Sequence, residues 1–126
     1  MKVDHIALYV QDLEKSSEFF EKYFGGIKNH LYYNPKTGLR TYFIHFNDGA
    51  RLELMNLPQC IQNAMVLTYG YAHIAFSLGS RAAVDRLTAD LANDGYELNS
   101  LPRVTGDGYY ESSVFDSEGN LIEIIE

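Results

Sequence analysis

The sequence predicts an α+β fold built from two β-α-β-β-β modules. The first observation is an internal repeat, because HIALYV at 5–10 recurs as HIAFSL at 73–78. The second is that each copy leads into a segment with helical periodicity that ends near a glycine. The third is that each half finishes with strand-like segments around a short turn. The 126 residues are therefore expected to form a single domain of two similar modules.

The two predicted helices share the same boundary signals. In DLEKSSEFFEKYFGG, apolar or small residues recur at spacings of three and four, and charged residues fill the other face. Asp12 is the predicted N-cap of this helix and Gly25 its predicted C-cap. Ser80 is the predicted N-cap of the second helix, which is expected to stop at the NDG sequence of residues 93–95. Each module thus carries one amphipathic helix.

The strands and their turns set the expected module boundaries. TYFIHF and ARLELMN flank a turn at 47–49, and YYESSVF and NLIEIIE flank a turn at 116–119. Weaker strand signals lie near 27–33 and 96–101. Module one is expected at about 1–56 and module two at about 71–126, with a connector at about 57–70 that contains Pro58. Open sheets leave unpaired edges, which favours the pairing of two chains.

Composition and charge narrow the classes of function. Seventeen acidic and ten basic residues give a net charge of −7, which repels nucleic acid and anionic membranes. No apolar run approaches the roughly 20 residues that span a bilayer. The single cysteine, Cys60, excludes an internal disulfide, and the N-terminal residues lack a signal-peptide pattern. We expect a cytoplasmic protein that binds neither nucleic acid nor membranes.

Four residues at matched positions are candidate metal ligands. Alignment of the two copies places His5 opposite His73 and Glu53 opposite Glu123. Each Glu lies between two apolar strand residues, so its side chain points to the other face, where an unpartnered carboxylate would be costly to bury. One such His or Glu is usually structural or solvated, but four in a repeat favour a metal site. Two imidazoles and two carboxylates suit zinc, nickel, cobalt, manganese or iron(II).

These residues, in this order, resemble the vicinal oxygen chelate superfamily and, within it, bacterial glyoxalase I. The resemblance covers nearly the whole chain and rests on four segments, HIAL, LEL, YAHIAF and DSEGNLIE. It implies paired modules that form a cup-shaped mixed sheet. It also implies a homodimer whose metal sites, with His5, Glu53, His73 and Glu123 as ligands, are shared between the chains.

The same resemblance implies an activity. Glyoxalase I isomerises the hemithioacetal of a 2-oxoaldehyde and a thiol, commonly glutathione, into a thioester. Carried over to this chain, one nickel, zinc or cobalt ion per site would act as a Lewis acid. Glu123 and Glu53 would be the catalytic carboxylates, with Glu123 as the base.

The chain also departs from the pattern of bacterial glyoxalase I. Tyr9 stands where an Arg usually binds a glutathione carboxylate, and Asn56 is one residue away from a family Asn. Arg40 and Arg103 could contact an anionic substrate or be ordinary surface charges, and His45 could support the site or face solvent. Two other functions therefore stay open, a thiol transferase of the fosfomycin-resistance type and a metal-free sequestering protein of the bleomycin-resistance type.

Overall fold

Each half of the chain forms its own β-sheet, and one helix packs on each sheet. The computed structural model describes residues 4–60, 71–106 and 108–126. The halves correspond to two compact units, Met1–Thr68 and Tyr69–Glu126. Most of the predicted connector, residues 61–70, lies outside the described residues. Two helices and two mixed sheets confirm the predicted α+β fold class.

The first unit contains one helix and five strands. The elements are β1 (His5–Tyr9), α1 (Leu13–Phe24), β2 (Ile27–Lys28), β3 (Tyr32–Tyr33), β4 (Arg40–His45) and β5 (Arg51–Asn56). The first strand pairs with the last, because the strand order is β1-β5-β4-β2; β1 runs parallel to β5, and the other pairs are antiparallel. The segment predicted near 27–33 forms two short strands, β2 and β3, which pair with different parts of β4.

The second unit repeats this plan. The elements are β6 (Ile74–Ser77), α2 (Arg81–Asn93), β7 (Leu98–Val104), β8 (Tyr110–Phe115) and β9 (Leu121–Ile125). The strand order is β6-β9-β8-β7, and β6 runs parallel to β9 just as β1 does to β5. The strand predicted near 96–101 begins at Leu98 and continues to Val104. The internal repeat of the sequence is thus a repeat of structure.

The predicted helix caps are confirmed. The side chain of Asp12 accepts a hydrogen bond of 3.0 Å from the backbone N–H of Lys15. Gly25 ends α1 with φ +64°, a left-handed conformation that glycine adopts without steric cost. The hydroxyl of Ser80 accepts a hydrogen bond from the backbone N–H of Ala83 at 3.3 Å. Local sequence therefore fixes where each helix starts.

The hydrophobic core of each unit lies between its helix and one face of its sheet. Phe20 of α1 and Leu54 of β5 are both fully buried, as are Leu91 of α2 and Ile124 of β9. Because side chains alternate along a strand, the residues between the buried ones project from the opposite, open face. Among the described residues, no helix is long and apolar enough to cross a membrane.

Candidate metal centre

The open face of the first sheet carries one His–Glu pair. Glu53 is level with Ala7 of the neighbouring parallel strand, and His5 lies two residues before Ala7 on the same face. The Nε2 atom of His5 lies 3.8 Å from Oε2 of Glu53. The His5 side chain is 41% exposed and the Glu53 side chain 19% exposed. The pair is thus partly sheltered, and both groups can still contact a bound ion.

The second unit places its own His–Glu pair at the matching positions. Glu123 of β9 is level with Ala75 of β6, and His73 immediately precedes β6 rather than opening it as expected. Its Nε2 atom lies 3.2 Å from Oε2 of Glu123. The side chains of His73 and Glu123 are 39% and 21% exposed, which closely repeats the first pair. Strand register and exposure are therefore the same in both units.

Buried neighbours force both carboxylates onto the open faces. Leu52 and Leu54 flank Glu53 and are at most 2% exposed, and Ile122 and Ile124 flank Glu123 and are fully buried. Rotating either strand to bury its Glu would expose two apolar side chains, at about 1.5–3 kcal/mol each. The alternation predicted from the sequence is thus the cause of the carboxylate placement.

Each pair alone presents one imidazole nitrogen and one carboxylate, which are fewer ligands than a transition-metal site usually takes from a protein. In the described part of the chain, no three His, Cys, Asp or Glu side chains lie together as a metal-binding group. One imidazole nitrogen and one carboxylate oxygen from each unit would make a four-ligand set. Mixed nitrogen and oxygen donors suit a divalent transition metal, and waters can fill the remaining positions. The donor chemistry of the four predicted residues therefore fits the expected ion.

Comparison with known proteins decides the family. Residues 2–124 match the sequence-family model of the Glyoxalase/Bleomycin resistance protein/Dioxygenase superfamily. The chain belongs to this superfamily. A search of curated proteins found no match.

Solved structures of the superfamily share the fold of this chain. A possible glyoxalase from Bacillus cereus is 26% identical with a TM-score of 0.75, over 100% of this chain and 99% of that one. A second Bacillus cereus glyoxalase family protein is 21% identical with a TM-score of 0.84, over 100% and 93% of the two chains. The trypanothione-dependent glyoxalase I of Leishmania major is 20% identical with a TM-score of 0.80, over 100% and 86%. At these low identities, the similarity establishes the superfamily fold and not the reaction.

A buried carboxylate fixes the turn that leads into β9 in this superfamily member. The side chain of Asp116 accepts hydrogen bonds of 2.8 Å from the backbone N–H groups of Glu118 and Asn120. The Asn120 amide adds a third hydrogen bond, at 3.0 Å. Burial raises the pKa of the Asp116 carboxyl, and these hydrogen bonds oppose that shift. The turn ends at Asn120, three residues before Glu123, so it sets the start of the strand that carries Glu123.

The first His–Glu pair has charged and aromatic neighbours that the sequence did not reveal. The Nδ1 atom of His5 lies 2.9 Å from Oδ2 of Asp4, and the Arg51 guanidinium bonds to the same oxygen. The hydrogen bond from His5, followed in importance by the hydrogen bond from Arg51, holds the pKa of the Asp4 carboxyl below its usual value. Phe43 of β4 is level with Glu53, and its ring meets the His5 ring edge-on at 5.4 Å.

The second His–Glu pair has a polar surrounding instead. Ser113 of β8 is level with Glu123, and its buried hydroxyl lies 2.9 Å from both Asn99 Nδ2 and Ser100 Oγ. The guanidinium of Arg103, one of the two candidate substrate-binding arginines, donates to the Ser100 hydroxyl at 2.7 Å and lies 3.4 Å from Oε1 of Glu111. The polar groups on the Glu123 side of the second sheet are therefore bonded to one another.

The structure also places the remaining candidate residues of the first unit. Tyr9 lies on the same face as His5 and is 58% exposed. The Asn56 amide donates to the carbonyls of Val10 and Gln11 at 3.0 and 2.9 Å, which ties β5 to the end of β1. Asn56, which is one residue away from the family Asn, thus has a structural role in the first unit.

Three further residues named in the sequence analysis do not contact either His–Glu pair directly. The Arg40 guanidinium lies 3.9 Å from Oε1 of Glu14 in α1. Arg40 is therefore on the helix side of the sheet, away from Glu53. His45, at the end of β4, lines a polar cleft with Asp4 and Arg51 and so borders the surroundings of His5. Cys60 is an exposed free thiol in the turn after β5.

Proposed function

We propose that the protein is a metal-dependent lyase/isomerase of the glyoxalase I type, acting on the hemithioacetal of a 2-oxoaldehyde and a thiol. The observation that carries this proposal is the duplicated His–Glu pair, with an Nε2–Oε2 separation of 3.8 Å in one unit and 3.2 Å in the other. His5, Glu53, His73 and Glu123 are the proposed ligands of one nickel, zinc or cobalt ion. Two carboxylates distinguish this set from the single carboxylate of the thiol-transferase alternative.

The two carboxylates have different proposed tasks. A bound divalent ion supplies Lewis-acid stabilisation of the negative charge that develops on the substrate oxygens. Glu123 takes the proton from the substrate carbon that carries sulfur and returns it to the neighbouring carbon, so no atom is gained or lost. Glu53 serves as a ligand and balances charge. The exposed Arg103 lies on the same side of the second sheet as Glu123, where it is hydrogen-bonded to Ser100, and its guanidinium suits a polar substrate.

Metal content is the first test of the proposal. Metal-free protein offered nickel, zinc or cobalt is expected to take up about one ion per chain. It should then convert methylglyoxal and a thiol to the thioester, and chelation should abolish this activity. His5→Gln and His73→Gln should each lose the ion, because each removes a nitrogen ligand. Elemental analysis and a thioester absorbance assay with several thiols are the measurements.

A matched control for the metal test is His30→Gln. His30 is exposed between β2 and β3, away from both strands of the first His–Glu pair, so this variant should bind metal like the wild type. If the wild type takes up none of the three ions, the glyoxalase proposal is wrong. The open faces would then be assigned to a sequestering protein, and ligand binding without turnover would be measured instead.

We further propose a cytoplasmic homodimer in which each ion takes one His–Glu pair from each chain. This can be tested by complementation between two inactive variants. One variant carries His5→Gln and Glu53→Gln, and the other carries His73→Gln and Glu123→Gln. Each should be inactive alone. A mixed dimer combines the intact first pair of one chain with the intact second pair of the other, so it should regain one of its two sites.

The mixed dimer can be isolated with two different affinity tags after co-expression. Its metal content and rate per dimer should be about half of the wild-type values, since one site is intact and the other has lost all four ligands. If the purified mixed dimer has no activity and binds no metal while the tagged wild-type dimer has both, sharing between chains is wrong.

A further inference from the structure

The Asp4 carboxylate contacts the side of His5 that faces away from Glu53. Oδ2 of Asp4 lies 2.9 Å from Nδ1 of His5, whereas Nε2 of the same ring is directed at Glu53, 3.8 Å away. An ionised carboxylate can only accept a hydrogen bond, so the proton of a neutral His5 ring lies on Nδ1 in this geometry. The lone pair is then on Nε2, on the side of the proposed ion.

Arg51 holds Asp4 in this position in two ways. Its guanidinium bonds to the carboxylate, and its backbone N–H donates to the Asp4 carbonyl at 3.0 Å. The guanidinium also lies over the Phe43 ring at 4.6 Å, and that ring meets the His5 ring edge-on. Asp4, just before β1, and Phe43 of β4 therefore contact the His5 ring, and Arg51 of β5 holds both of them. Together they restrict the rotation and the tautomer of His5.

The second unit has none of these three residues at the equivalent positions. Ala72 precedes His73, Leu121 stands two residues before Glu123, and Ser113 is the residue level with Glu123. The Ala72 side chain cannot accept a hydrogen bond as Asp4 does, and the Leu121 side chain cannot donate one as Arg51 does. The two His–Glu pairs are thus alike in geometry, but the residues that contact the His5 ring have no counterparts at the equivalent positions around His73.

We infer that Asp4, held by Arg51, is a positioning residue that fixes His5 in the Nδ1–H tautomer and presents Nε2 to the metal. The metal part of this inference rests on the proposed function, whereas the tautomer is a property of the metal-free protein. Carboxylates behind a ligating His typically raise metal affinity about 10–100-fold, because they orient the ring and increase its basicity. The two histidines are then unequal ligands, since Ala72 stands before His73 where Asp4 stands before His5.

The tautomer can be measured in metal-free protein by two-bond ¹H–¹⁵N correlation of the imidazole nitrogens at about pH 9, where imidazoles are neutral. His5→Gln identifies the His5 signals. The wild type should show His5 protonated on Nδ1, and Asp4→Ala should shift the population toward Nε2–H. The His73 signals should not change, because Asp4 precedes His5 in the chain, whereas the residue that precedes His73 is Ala72.

Metal titrations provide the second readout. Asp4→Ala should weaken metal binding about 10–100-fold. Asp4→Asn keeps an acceptor oxygen and should recover part of the loss. Glu18→Gln makes the same change of charge at an exposed position of α1 in the same unit, outside the cleft that Asp4 and Arg51 line, and should bind metal like the wild type.

The two readouts separate the inference from the proposed function. An unchanged His5 tautomer in Asp4→Ala overturns the inference, whatever the metal affinity. A changed tautomer in a protein that binds no metal overturns the proposed function and leaves the orientation of His5 by Asp4 standing. If Asp4→Asn and Glu18→Gln lose metal affinity equally, the effect of Asp4 comes from net charge alone, and its role in positioning a metal ligand is overturned.

Discussion

Glu123→Gln is expected to lower kcat for hemithioacetal isomerisation by about 10²–10⁴-fold, the usual contribution of a general base. The amide has nearly the shape of the carboxylate, but it cannot take a proton from carbon and is a weaker metal ligand. Because the Glu123 side chain is 21% exposed on an open sheet face, the fold should tolerate the change. The measurements are kcat, KM and metal content at saturating metal, together with the melting temperature.

Two comparisons sharpen this test. Glu97→Gln makes the same change of charge at an exposed position in the same unit and should keep wild-type kcat. Glu53→Gln should weaken metal binding, and its kcat should recover in part when metal is in excess, since Glu53 is proposed as a ligand and not the base. If Glu123→Gln retains both metal and kcat, Glu123 is not the base. If Glu53→Gln loses kcat at full metal occupancy and Glu123→Gln does not, the roles are reversed.

The second large effect is on stability. Ile124→Ala should reduce the free energy of unfolding by about 2–5 kcal/mol, because a fully buried side chain is removed and a cavity is left beside α2. Ile125→Ala is the matched control. It deletes the same atoms at the next position of β9, where the side chain is half-buried on the open face, and should cost about 1 kcal/mol or less.

Urea denaturation followed by circular dichroism is the measurement for both isoleucine variants. The difference between the two positions also reports which face of β9 is buried in solution. Equal losses at the two positions would contradict the burial pattern that places Glu123 on the open face. A larger loss for Ile125→Ala would mean that β9 is turned the other way or that its open face is covered.

Local patterns in the sequence were sufficient to predict much of this structure. Caps such as Asp12 and Ser80 act within a few residues, and the apolar neighbours of Glu53 decide which way its side chain points. The break between β2 and β3 was not predicted, because a single continuous strand and two short ones on the same partner have similar residue patterns. Which residues of β1 and β5 stand level with one another also depends on pairing between distant segments.

The surroundings of His5 show the same limit. Asp4 and Arg51 are separated by 47 positions in the chain, and neither belongs to the repeat that drew attention to the His–Glu pairs. Only the parallel register of β1 and β5 brings them together. Asn56 illustrates the reverse case, since its position is close to that of a family Asn, while its amide donates to the backbone carbonyls of Val10 and Gln11 at the end of β1.

The pairing of the first strand of each unit with its last strand has a consequence for the order of folding. The His and Glu of a pair are far apart in the chain and meet only when β5 docks beside β1, or β9 beside β6. Such non-local pairing must overcome the entropy of closing a long loop, which slows folding. Neither half of the proposed metal site can exist in a nascent module until its final strand has been synthesised and inserted, so premature capture of an ion by a partly folded module is disfavoured.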